Sequence, residues 1–189
     1  MIIKYFFSLF FICLLLFGCE KNQTNTLTVE PNSTILANTE SIELSSDFKP
    51  VTGQIIYLPI YGNIYHSNQG RLHNLGITVT FHNTDLENSI IIKSMEYYDN
   101  QGNSIEKFLS SPVSLKPLAS INFFIPDDDT RGGIGANLLI EWVADKKVFS
   151  PIAEAIMVST ASTQGISFTT QGKVVKELRI ENGEWRIKN

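Results

Sequence analysis

Cysteine is nearly absent: among 189 residues only Cys13 and Cys19 carry a thiol, and both lie in the first nineteen. A chain cleaved before Cys19 keeps that one alone, which excludes an internal disulfide and a zinc–thiolate cluster. Charge is sparse, at 18% of residues, and positive charge is the scarcer kind, with 15 Lys and Arg against 19 Asp and Glu. Nucleic acid is therefore excluded as a partner, since its binding needs a clustered basic surface. Histidine occurs three times, as His66, His73 and His82. No convincing amphipathic helical period is present, and Ile152 to Val158 is the one ambiguous run. Long apolar runs are also lacking, apart from Tyr5 to Phe17. As a helix that run would be about 20 Å long, too short for a hydrocarbon core of about 30 Å.

What is there begins with that run. Behind the positive Lys4 it reads as the apolar region of a secretory signal. It ends in Leu16-Phe17-Gly18-Cys19, which resembles a lipobox, where a small residue precedes a cysteine that is diacylated on sulfur and exposed by cleavage. Phe17 departs from the small residue usual at its position. The competing reading, an ordinary signal with a stray cysteine, lacks an Ala-x-Ala-like site, and the next stretch is polar. The expectation is a signal peptide over 1–18 and lipidation at Cys19, with a membrane as the first partner. Glu20 resembles the outer-membrane sorting choice, facing the periplasm, in a cell with two membranes. Without Lys4, fourteen basic residues stand against nineteen acidic, a net charge of −5.

From Glu20 to Pro50 the chain turns to Asn, Thr, Ser and Glu, with Phe48 as its one aromatic. Such a segment cannot bury enough apolar surface to offset its ordering entropy, so 19–50 reads as a tether reaching about 30 Å. Short pieces such as Ser41 to Leu44 have the composition to pair with the domain.

The domain, 51–189, reads as strands throughout. Ile77, Val79 and Phe81 alternate with Thr78, Thr80 and His82, the period of a strand with one buried face. Ile90 to Tyr98 changes phase midway, which a β-bulge near Lys93-Ser94 reconciles. Further strands are expected at Ser104–Leu109, Ser120–Ile125, Asn137–Ala144, Ile152–Thr160 and Ile166–Val175, with a hairpin around Asn182-Gly183. The expected class is all-β, a single antiparallel β-sandwich of immunoglobulin-like layout, with Trp142 as its central aromatic.

Several segments carry a resemblance: Tyr57-Leu58-Pro59-Ile60-Tyr61, Asn83-Thr84-Asp85, Tyr97-Tyr98-Asp99, Gly132-Gly133-Ile134-Gly135-Ala136-Asn137 with Glu141-Trp142, and Gln164-Gly165-Ile166-Ser167-Phe168. In matching order from Gly53 to Val175, they are similar to the bacterial envelope family called domain of unknown function 3124. The resemblance implies secreted lipoproteins and supplies no activity, cofactor or catalytic residue.

The candidate chemistry is thin. A three-histidine zinc site needs convergence, whereas His82 is expected to face solvent and His66 and His73 to flank a loop at Ser67–Leu72. Asp127, Asp128 and Asp129 beside Gly132-Gly133 offer carboxylates to Ca²⁺, without the ligand spacing of an EF-hand. The glycines precede a strand, unlike a phosphate cradle, and Ser167 lacks a Gly-x-Ser-x-Gly setting. No cofactor is called for. Pro59 suggests an edge strand or a bulge, which would leave Tyr57 and Tyr61 as an exposed strip continued by Tyr65 and His66. The alternative is that both faces are covered. Tyrosine suits protein or glycan contact, being apolar at one end and wet at the other. The leading expectation is a binding or assembly module for another envelope component. The alternatives are an enzyme acting on an envelope polymer, or a Ca²⁺-dependent interaction module.

Overall fold

The computed structural model describes residues 40–66, 68–160, 165–181 and 184–187. These contain no helix and fourteen strands, every pairing antiparallel. In chain order they are β1 (Glu40–Ser41), β2 (Thr52–Ile60), β3 (Asn63–His66), β4 (Asn68–Asn74), β5 (Gly76–His82), β6 (Ile90–Tyr98) and β7 (Ser104–Lys107). They continue with β8 (Val113–Leu115), β9 (Ser120–Ile125), β10 (Ala136–Ala144), β11 (Ile152–Ser159), β12 (Ile166–Gln171), β13 (Lys173–Glu181) and β14 (Glu184–Ile187). The all-β expectation holds, and the ambiguous run at 152–158 is a strand.

The large sheet runs β1-β8-β6-β10-β2-β13-β14, with β7 added beside β6. A four-stranded sheet runs β12-β11-β5-β9, and β3 and β4 form a hairpin of their own. Alternation explains the core. Ile56, Leu58 and Ile60 of β2 and Leu138, Ile140 and Trp142 of β10 point inward with period two. Ile77, Val79 and Phe81 of β5 and Ile121, Phe123 and Ile125 of β9 do the same, and all belong to one hydrophobic cluster. Trp142 is 1% exposed. Its indole Nε1 and the Oε1 of Gln54, its cross-strand partner, are both buried without a hydrogen-bond partner.

The bulge expected near Lys93 is present: Glu141 pairs with Ser94 and Trp142 with Ile92, so Lys93 is the extra residue. It leans out to ion-pair with Glu141.

Three expectations need correction. Ile166–Val175 is not one strand, because the chain passes from the four-stranded sheet to the large one at Gly172. A Cβ there would stand 2.5 Å from Ile56 Cγ2 and 3.0 Å from Ala153 Cβ, so only glycine fits the crossing. Residues 68–72, expected in a loop, lie in β4. Finally, β2 is not an edge strand, since β10 and β13 flank it. Pro59 is tolerated there because the ladder to β13 stops at Tyr57. The Pro59 carbonyl points to that open side and accepts a hydrogen bond from Thr170 Oγ1 at 2.6 Å. The missing N–H faces the same way, so no ladder bond is lost.

Part of the segment read as tether lies on the domain. Glu40 and Ser41 pair with β8, and Ile42 N donates to Pro112 O at 2.9 Å. Leu44, Phe48 and Pro50 line a cavity of about 360 Å³ with Lys93, Glu141 and Val143. The expected turn at Asn182-Gly183 lies outside the described residues, but Glu181 pairs with Glu184 across it.

Candidate functional site

Antiparallel pairing brings the ends of β2 and β6 and the start of β10 to one end of the large sheet. There the chain collects Tyr61, Tyr97 to Asp99 and the loop at 126–135. Tyr61 is half-buried, packed against the core and, at 6.0 Å between centroids, against the ring of Phe168.

The acidic loop is organised around Arg131. Its Nε and Nη2 donate to the two carboxylate oxygens of Asp129 at 2.9 and 2.7 Å, and Nη2 also reaches Glu106 at 2.8 Å. This fork holds the Asp129 carboxyl below the usual range, with the Arg131 hydrogen bond as the main cause, and raises the guanidinium in turn. Asp127 and Asp128 are exposed. Among the described residues no three His, Cys, Asp or Glu side chains are grouped to hold a metal ion.

Beneath this loop lies Tyr97, 0% exposed and stacked on Phe108 at 6.2 Å. Its hydroxyl is enclosed without a well-formed hydrogen bond, the Gly132 amide beside it offering a weak one at most. Burial, chiefly, and the charge of Asp129 push the phenol up to about 12. A Cβ on residue 132 would fall 2.0 Å from that oxygen, which accounts for glycine there.

The neighbouring carboxylates also lock turns. Asp99 accepts from the Gln101 and Asn103 amides, each at 2.8 Å, and from Asn103 Nδ2 at 2.9 Å, which lowers its pKa, the Asn103 side chain first. Glu96 accepts from Ser104 Oγ at 2.6 Å and Tyr98 OH at 2.9 Å; the Ser104 bond is the main reason its pKa falls. Away from this end, Asn83 Nδ2 donates to three carbonyls, of Asn88, Leu115 and Lys116. Asp85 receives the amides of Glu87, Asn88 and Phe149.

The expected tyrosine strip divides. Tyr57 and Tyr61 are half-buried on or beside a central strand, whereas Tyr65 and His66 are exposed on the β3–β4 hairpin. Tyr65 lies opposite Leu72, a residue no sequence signal singled out; the two are 57% and 54% exposed. Leu75 N closes the base of the hairpin onto Gly62 O at 2.9 Å. His66 and His73, expected to flank a loop, have ring centroids 5.6 Å apart. His82 lies on β5, half-buried, between Ser120 and Ile152.

No curated protein matches the chain. It is similar in structure to the crystal structure of Thermotoga maritima 1070, with 11% identity and a TM-score of 0.38, over 64% of this chain and 92% of that one. The family model described as Protein of unknown function (DUF3124) matches residues 53–175, which takes in the central strand β2, the Arg131 loop and the β3–β4 hairpin, and the chain belongs to this family.

Proposed function

We propose that this is a lipid-anchored cell-envelope protein whose β domain is a binding or assembly module for another envelope component, protein or glycan. In this reading residues 1–18 are the signal, Cys19 carries the lipid, and the chain after it holds the domain near a membrane, the outer one facing the periplasm where there are two. The finer layout we infer is a single sandwich, immunoglobulin-like in having two antiparallel layers around the core that both large sheets share.

The observation that carries the binding reading is the β3–β4 hairpin. It belongs to neither large sheet, and its cross-strand pair Tyr65 and Leu72 exposes more than half of each side chain. Leu86, Leu118 and Phe149 are exposed too, but Tyr65 and Leu72 face each other across one hairpin, and paired rather than scattered apolar groups mark a contact surface. At the adjacent sheet end Asp99 is tied into a turn and Asp129 into an arginine fork, which suits a rigid support for that surface better than proton transfer.

The test is capture from envelope extracts by the lipidated protein, with cross-linking. Tyr65→Ala and Leu72→Ser should leave stability within about 0.5 kcal/mol, as exposed positions do, and should lose the cross-linked partner. Retention of the same partner by both variants would remove the hairpin from the binding surface.

A further inference from the structure

His66 and His73 meet on one hairpin although six residues separate them in sequence. The register shifts between Tyr65 and His66, and such an irregularity re-aims the side chain that follows it. His66 is exposed. His73 is half-buried, and its Nε2 is enclosed without a hydrogen-bond partner. An enclosed ring nitrogen with no partner is uncommon, and a bound water or ion is one way to satisfy it.

The ring geometry says which kind. Zinc binds imidazole nitrogen at about 2.0–2.1 Å, which puts the metal about 3.2 Å from the ring centroid. Two imidazoles at the tetrahedral angle then have centroids about 5.2 Å apart; at the right angle of a square-planar site the figure is about 4.5 Å, and in a linear one about 6.4 Å. The rings of His66 and His73 stand 5.6 Å apart, closest to the tetrahedral value. Their 49° inclination is no obstacle, because coordination fixes the direction of each nitrogen and not the angle between the two ring planes.

We propose that His66 and His73 form an open, two-histidine zinc site on the β3–β4 hairpin. Among the described residues no third His, Cys, Asp or Glu completes it. Because His73 Nε2 is enclosed, its remaining positions have to open on the side of the exposed His66, where water or a donor from another molecule fills them, unlike the four protein ligands of a closed structural site. A square-planar ion such as Cu²⁺ would have to pull the rings about 1 Å closer as cis ligands or push them about 0.8 Å apart as trans ligands, so zinc is the better fit.

Calorimetric titration of the full-length mature chain with zinc chloride tests this. Wild type and His82→Ala should each take up one equivalent. His66→Ala and His73→Gln should bind more weakly by more than the roughly 10–100-fold loss that disturbing an outer partner causes. His66 is exposed, so the His66→Ala melt without zinc should match wild type, which separates ligand loss from misfolding. X-ray absorption of the zinc-loaded chain should show two imidazole ligands. No uptake by wild type, or undiminished uptake by His66→Ala, would overturn the site and leave the ring contact as simple packing.

Discussion

Asp85 shows what an ionised group can do for a loop. Its carboxylate gathers three backbone amides and the Asn88 side chain, and the Glu87 and Asn88 amides above all lower its pKa to about 2. An unfolded aspartate titrates near 3.9. Because the folded value is the lower, the stabilisation is complete above about pH 4 and is lost as pH falls towards 2. Asp85→Ala should therefore melt below wild type at pH 7, and the gap should close across that window when thermal melts are followed by circular dichroism. A gap that persists unchanged at pH 2 would mean that charge is not what the loop depends on. Tyr97 argues in the opposite direction. Its hydroxyl is buried without a well-formed hydrogen bond, and leaving such a group unsatisfied costs roughly 1–3 kcal/mol. Tyr97→Phe keeps the ring stacked on Phe108 and removes that burden, so denaturant unfolding should show stability unchanged or raised by up to about that amount. A clear loss would mean that the hydroxyl has a bound partner, and would make this end of the sheet a place where ligand or ordered water sits.

Strands were legible where one face is buried, because burial imposes the two-residue period that the sequence must then carry. Ser120–Ile125 agrees residue for residue, and the phase slip in 90–98 is the bulge at Lys93. The hairpin β3–β4 was not legible beyond its base: Asn63 is buried and Ile64 packs on the core, but Tyr65, His66, Arg71 and Leu72 are exposed and follow no alternation. For the same reason Tyr65 and His66 could be singled out as surface groups, while the His66–His73 contact, which depends on an irregular register, could not. Pro59 misled because a proline speaks only for its own backbone position, and one strand can be central along most of its length and open at its end. Gly172 was passed over because its reason lies in Ile56 and Ala153, far away in sequence. Its role can be measured. Gly172→Ala forces a methyl into the crossing between sheets, and overpacking of this kind typically costs about 1–3 kcal/mol. Denaturation should show that loss, whereas Gly165→Ala, whose Cβ would meet nothing nearer than 3.6 Å, should not.

At the scale of the whole molecule the open question is what holds it in place, and the proposed anchor is separable from the domain. Among the described residues the first strand is Glu40–Ser41 and the buried hydrophobic core begins at Ile56. An acyl chain contributes roughly 0.8 kcal/mol per buried methylene, and a single chain gives only marginal, reversible binding. Two or three chains on Cys19 would make attachment lasting and independent of charge, which suits a chain that has few basic residues to hold an anionic surface. Wild-type protein should therefore incorporate labelled palmitate, stay with membranes through a high-salt wash, and leave them only in detergent. Cys19→Ser should lose the label and either appear in the soluble fraction, with an unchanged melting temperature, or accumulate as uncleaved precursor. Salt-sensitive release of the wild type would point to electrostatic adsorption, and palmitate labelling that survives Cys19→Ser would refute the lipid anchor at that residue.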